Sequence, residues 1–197
     1  MSRSHCACCS FPSSHCLCAF AQNVAAQTHV VVLQHPSEVK HGKNSVRLLP
    51  LALDNLHIAI GETEADFTEI RHWLSLQKRP IFLLYPSDNS RDLSEIKSEQ
   101  NAILVILDGT WRKAFKILQL NPWLLELTQV HISPNAPSRY QIRKANRSNS
   151  LSSLEATAFG IKSLEPSVDV APLLHLFDAM IAQQLQAMPS DVRKRYE

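Results

Sequence analysis

The chain alternates short apolar runs with longer polar stretches. The run HVVVLQ (29–34) predicts a strand buried on both faces, because its apolar residues are consecutive rather than alternating. A polar loop follows, then an apolar segment interrupted by Pro50. Asn44 or Ser45 suits the N-cap of a helix there, although Pro50 weakens its middle. HIAIG (57–61) reads as a short strand. From Thr63 the spacing predicts a helix: Thr63 with Asp66 resembles a capping box, and Phe67, Ile70 and Leu74 share one face. PIFLLYPS (80–87) is a third strand, stopped by Pro86, and AILVIL (102–107) a fourth. After Asp108 a helix places Trp111, Ala114, Phe115 and Leu118 at i, i+3, i+4 and i+7, with Arg112, Lys113 and Lys116 largely on its other side. QVHIS (129–133) is a fifth strand. The basic SRYQIRKANR (138–147), the helix-like SLSSLEATAFGIKSL (150–164) and a long C-terminal helix lined by Leu173, Leu174, Phe177, Ile181, Leu185 and Met188 complete the chain.

Apolar strands alternating with helices predict an α/β fold, a mostly parallel sheet with helices on both faces. Ligands of such sheets gather at the carboxyl ends of the strands. Tyr85-Pro86-Ser87 and Asp108-Gly109-Thr110 each end a strand, and the basic segment follows another, so these loops form the expected site.

Composition narrows this picture. The chain has 197 residues, 45% of them hydrophobic, which suits one core with a small appendage. The net charge of +2 does not mark the whole molecule as a polyanion binder. No apolar run approaches the roughly 18–20 residues of a membrane span. The N-terminus lacks the apolar core of a secretory signal, so a cytoplasmic protein is expected. The only glycines are Gly42, Gly61, Gly109 and Gly160, which spell neither a dinucleotide fingerprint nor a P-loop. All five cysteines lie between positions 6 and 18. Cys6, Cys9, Cys16 and Cys18 form a C-x-x-C and a C-x-C spaced to surround one tetrahedral Zn²⁺; Cys8 is left over, and His5 or His15 could replace a thiolate. Free thiols and disulfides of an exported protein are the alternatives. The lack of an export signal favours structural zinc, whose binding would supply the folding energy of so short a segment. The expected division is a zinc-binding module over 1–27 and a catalytic domain over 28–197.

Six blocks in order resemble the DTW-domain family of tRNA-uridine aminocarboxypropyltransferases. They are C-x2-C-x6-C-x-C (6–18), His35-Pro36 with Glu38 and Asn44, Tyr85-Pro86-Ser87, Asp108-Gly109-Thr110-Trp111, SRYQIRKA (138–145) and LSSLEA (151–156). They span residues 6–156, and the last forty residues or so carry no motif. The resemblance implies a SPOUT-related fold, with or without a knotted C-terminal segment. It implies S-adenosylmethionine (SAM) as donor and 3-(3-amino-3-carboxypropyl)uridine in tRNA as product, bacterial members acting on a variable-loop uridine.

In SAM the sulfonium activates three adjacent carbons. Uridine N3 must meet the γ-carbon of the methionyl arm rather than the methyl, so the enzyme's work is largely orientation, which can supply roughly 7–11 kcal/mol. The catalytic candidates are Asp108, Thr110 and Trp111. Asp108 could take the N3 proton, bind the donor's ammonium, or cap the following helix. Thr110 could cap that helix or donate to substrate, and Trp111 could fill the core or stack on a base. The donor-binding candidates are Tyr85, Pro86, Ser87, Asp108, Gly109, Tyr140, Arg143, Leu151, Ser152, Ser153 and Glu155. Arg139 or Arg143 is the candidate cation for the donor carboxylate. Glu155 could contact the ribose, orient Asp108, or be a solvated helical residue. His35 reads as structural, and Ser87 and Ser138 suit loop caps as readily as ligand contacts. Phosphate contacts are expected from Lys40, Lys43, Arg47, Arg112, Lys113, Arg139, Lys144 and Arg147. Two other functions fit the same sequence, a SPOUT-like RNA methyltransferase and a non-catalytic zinc-containing RNA-binding protein. Monomer and homodimer are both open.

Overall fold

A computed structural model describes residues 4–96, 101–133 and 151–193. Strands β1 (His29–Gln34), β2 (Leu56–Ile60), β3 (Ile81–Leu84), β4 (Arg91–Asp92), β5 (Ile103–Asp108) and β6 (Thr128–His131) form one sheet in the order β2-β1-β5-β3-β6-β4. Every pairing is parallel, so the carboxyl ends of all strands meet at one edge. Helices α1 (Thr68–Ser75) and α2 (Trp111–Leu120) cover one face, and α3 (Ser153–Leu164) and α4 (Ala171–Gln186) cover the other. A short α5 (Ser190–Arg193) follows. The α/β class with helices on both faces is therefore as expected.

The central strands explain the unbroken apolar runs. Val31, Leu33, Ile103, Val105 and Leu107 join the α1/α2 core, while Val30, Val32, Leu104 and Ile106 join the α3/α4 core. Each strand alternates faces, and both faces are dry. Helix α3 lies close against β5: a Cβ built on Gly160 would stand 2.4 Å from Leu104 Cδ2. At its C-terminus Glu165 accepts hydrogen bonds from the Thr28 amide (2.6 Å) and the Gln27 amide (3.0 Å), tying α3 to the entry of β1.

Four local features depart from the sequence pattern in extent, helix type or buried face. The helix expected from Thr63 starts at Thr68, because the Asp66 carboxylate accepts from the Glu62 and Thr63 amides and the Thr63 hydroxyl, making a turn instead of a first helical turn. The segment Val46–Leu51 is a 3-10 helix with Pro50 inside it. Strand β4, two residues long, arises in a stretch that reads as polar loop; it pairs with β6. Helix α2 buries Ala114, Ile117 and Leu118, whereas Trp111 and Phe115 are 45% and 52% exposed. The small Ala114 and branched Ile117 meet the sheet, and the two rings lie on the helix flank.

The N-terminal segment packs into the α3/α4 core. Cys9, Phe11, Leu17 and Val24 are buried in one cluster with Leu48, Leu49, Leu173 and Met180. Whether the C-terminal segment is knotted, left open by the resemblance, is not decided by the described residues, since 134–150 lie outside them. Among the described residues, no helix is long and apolar enough to cross a membrane.

Candidate active site

The register of the two central strands pairs Gln34 with Asp108 at their carboxyl ends. Both side chains are buried. Gln34 Nε2 donates to Asp108 Oδ2 at 2.8 Å, and Ser153 Oγ, from the first turn of α3, donates to Asp108 Oδ1. The carboxylate is thus fixed from both oxygens, by a neighbouring strand and by a helix. A substrate proton or a cationic group reaching Asp108 must share or displace one of these bonds. Gln34 is steadied in turn by Asn44, whose Oδ1 lies 3.4 Å from Gln34 Nε2 and whose Nδ2 donates to the Val39 carbonyl at 3.2 Å.

Helix starts surround this carboxylate. Thr110 caps α2, its side chain accepting from the Lys113 amide at 3.4 Å, so the cap role belongs to Thr110 and not to Asp108. Gly109 permits the tight turn: a Cβ there would lie 2.9 Å from Lys113 Cβ. Ser152 and Glu155 form a capping box on α3, the Ser152 amide donating to Glu155 Oε2 at 2.8 Å. Glu155 is fully buried, which removes the solvated reading.

The α2 face of the site is laced by ion pairs. Lys113 Nζ meets Glu38 at 2.7 Å, Lys116 Nζ meets Glu62 at 2.6 Å, and His35 Nε2 meets the other oxygen of Glu62. The Lys116 ammonium, with His35 beside it, holds the Glu62 carboxyl below its ordinary range. His35 Nδ1 accepts from the Ser37 amide at 3.2 Å, which leaves Nε2 to carry the proton toward Glu62. The partner of His35, which the sequence does not show, is Glu62. On the other flank, the Tyr85 ring approaches Trp111 edge-on with centroids 6.3 Å apart, and burial pushes the Tyr85 phenol up. Ser87 Oγ donates to Gln129 Oε1 at 2.6 Å, tying the turn after β3 to β6.

The cysteines form a second centre. Cys6 Sγ and Cys18 Sγ are 3.7 Å apart and Cys9 Sγ and Cys16 Sγ 3.8 Å, with all four sulfurs within 4.8 Å of one another. These distances are far from the roughly 2.05 Å of a disulfide. Four thiolates around one Zn²⁺ at about 2.3 Å would have edges of about 3.8 Å, so the set fits a thiophilic ion. The Cys9 and Cys8 amides point at Cys6 and lower its thiol to about 6. Ser10 takes the left-handed conformation (φ 58°) that closes this turn. Arg47 stacks on the Phe11 ring at 3.7 Å and donates to the Ser10 carbonyl at 2.9 Å, fastening the module to the loop that carries Asn44.

Residues 3–185 match the DTW domain. The chain belongs to the DTW domain family. It is similar to proteins named tRNA-uridine aminocarboxypropyltransferase 2: 29% identical over 192 residues to that of Macaca fascicularis and 27% over 192 residues to that of Mus musculus. Each alignment covers 93% of this chain and 64% of the relative. The Drosophila melanogaster protein of the same name is 31% identical over 170 residues, covering 83% of this chain and 67% of that one. The DTW-domain chain thus spans 64% of the length of the two mammalian relatives.

In this DTW-domain protein the strand ends bring several site candidates to one edge. Asp108 meets Ser153 directly, Gly109 and Thr110 follow Asp108 in the turn into α2, Ser152 and Glu155 cap the helix that carries Ser153, and Tyr85 reaches Trp111. Pro86 and Ser87 lie at the end of β3. Tyr140 and Arg143, with Ser138, Arg139, Lys144 and Arg147, lie outside the described residues. Of the expected phosphate contacts, Arg47 is engaged with Phe11 and Ser10, and Lys113 with Glu38. Lys40 and Arg112 are exposed, and Lys43 is partly so. The sequence reading passes over Gln34 and Glu62. A lone polar residue closing an apolar strand, as Asp108 closes its neighbour, is the signal that points to Gln34.

Proposed function

We propose that this DTW-domain protein transfers the 3-amino-3-carboxypropyl group of SAM to N3 of a tRNA uridine, the variable loop being the first place to look. The bond from N3 to the donor's γ-carbon forms, the carbon–sulfur bond breaks, methylthioadenosine leaves, and the N3 proton passes to a base. The observation that carries this reading is the Asp108 carboxylate, fixed by Gln34 and Ser153 at the carboxyl edge of a parallel sheet within a DTW domain. Such a group either takes the N3 proton or holds the donor's ammonium so that the γ-carbon faces the base. The remaining donor contacts in this reading come from Tyr85, Pro86, Ser87, Gly109, Leu151, Ser152, Ser153 and Glu155, together with Tyr140 and Arg143. Cys6, Cys9, Cys16 and Cys18 hold one structural zinc.

Incubation of the full chain with unmodified tRNA and SAM labelled in either the carboxyl or the methyl group tests the reaction. Carboxyl label in RNA, with methylthioadenosine released, is the expected result. Methyl label alone would make the protein a methyltransferase. Binding of tRNA without transfer of either label would make it a non-catalytic RNA binder. Elemental analysis of the purified protein should find about one zinc per chain; protein that folds with none would refute the tetrathiolate assignment.

A further inference from the structure

Outside the Asp108 centre, the described surface carries one pair of neighbouring exposed aromatic rings. Trp111 and Phe115 stand one turn apart on α2, so they share a flank of the helix. The core has no use for them there, since Ala114, Ile117 and Leu118 already supply the buried stripe. Two large side chains about half exposed beside a candidate site point to a ligand that covers their open surface. The helix supplies three cations, Arg112, Lys113 and Lys116, and no acid. Lys113 and Lys116 bind Glu38 and Glu62, while Arg112, next in sequence to Trp111, has no ion pair among the described residues. Flat apolar faces bordered by cations suit a nucleobase attached to a phosphodiester chain. They suit an apolar protein helix less, because aliphatic residues would serve that as well.

Position makes the case more specific. Trp111 follows the Thr110 cap and lies three residues after Asp108, with Phe115 one turn further from the carboxyl edge of the sheet. Tyr85, just past the end of β3, meets Trp111 edge-on, and both Trp111 and Phe115 keep exposed surface. A nucleic acid whose uridine reached Asp108 would run past these rings with its neighbouring nucleotide.

We propose that Trp111 and Phe115 form a stacking platform for an unpaired nucleobase adjacent to the uridine being modified. This rests on the RNA-directed reading given above and adds to it a binding subsite containing Phe115. Affinity for an unmodified tRNA transcript, measured over a range of salt with wild type, Phe115→Ala, Phe115→Leu and Phe115→Tyr, tests it. Phe115 is exposed, so the variants should melt as wild type does. The alanine and leucine variants should bind about tenfold more weakly and the tyrosine variant about as wild type. All four should share one slope of log Kd against log salt, because stacking releases no counterions, and all should bind SAM equally. Equal affinity of the alanine variant and wild type would overturn the platform. So would a leucine variant matching wild type, which would mean a generic apolar contact. A wild-type dimer that Phe115→Asp converts to monomer would overturn it too, giving the face to a second copy of the chain. Wild type that binds tRNA in the expected pattern but transfers nothing would refute the transferase reading and leave the platform standing.

Discussion

Strand β1 begins at His29 and ends at Gln34, and the two ends of the sheet that it joins differ in kind. At the amino end His29, His57 and Trp73 pack ring on ring, with centroids 4.5–4.8 Å apart, and His29 Nε2 lies 3.1 Å from His57 Nδ1. Arg79 sits 6.0 Å from the Trp73 ring and donates to Asn101 at 2.9 Å. Titratable and aromatic groups there satisfy one another. At the carboxyl end the donors Gln34 and Ser153 converge on one carboxylate, and the rings of Trp111 and Phe115 turn outward. A crowd of histidine and tryptophan is therefore a poor marker of a site. Convergence on one group, with side-chain surface left uncovered beside it, is a better one.

Substitutions at the two ends should separate them. The largest effect is expected from Asp108→Asn, which keeps the shape and removes the charge: transfer should fall by about 100- to 10,000-fold with little change in melting temperature. Wild-type turnover by this variant would end the distinction between the two ends. Gln34→Leu should come next, lowering transfer by roughly 10- to 100-fold through a misplaced carboxylate and lowering stability by ~1–3 kcal/mol through a lost buried hydrogen bond. Single-turnover rates and a denaturant melt measure these two effects separately. Ser153→Ala, which removes the donor to the other oxygen, should reduce transfer by about tenfold and leave the α3 capping box intact. Transfer unchanged by both substitutions would mean that Asp108 needs no fixing.

The smallest effect is expected at the amino end. Burial, with His57 and Arg79 nearby, lowers His29 from 6.5 to about 4. Between those values the unfolded chain binds a proton that the folded chain refuses, so stability should fall as pH drops from about 6.5 to 4 and level off below that. His29→Phe keeps a ring in the stack and should remove this component, about 1–3 °C in melting temperature, since the imidazole is only partly buried. Transfer at pH 7.5 should be unchanged. Loss of transfer in this variant would show that the amino end takes part in function.

What the sequence discloses follows from the range of the forces involved. β1 and β5 are legible because a strand dry on both faces must be apolar at every position, and Asp108 stands out as the acid that ends such a run. Gln34 is not legible as its partner, since the two are 74 residues apart and only strand register joins them. The face of α2 is ambiguous for another reason: Trp111, Ala114, Phe115, Leu118 and Ala114, Ile117, Leu118, Asn121 both satisfy helical spacing. The structure buries the second set, Asn121 included, because its Nδ2 donates to the Glu62 and Ile117 carbonyls at 2.8 and 2.7 Å. The capping box of Ser152 and Glu155 is absent from the sequence reading, and its burial depends on the long-range seating of α3. The cysteine spacing transfers directly to geometry because all four thiols lie within thirteen residues.

Phe11 and Leu17 sit in the same apolar cluster as Leu48, Leu49 and Met180, and Arg47 covers Phe11 from the other side. The expected division near residue 27 thus falls within one shared apolar cluster. If the four thiols hold the proposed zinc, stripping it would loosen a wall of the main core, so calorimetry should record one endotherm whose midpoint moves with chelator, and proteolysis near residue 27 should yield no stable large fragment.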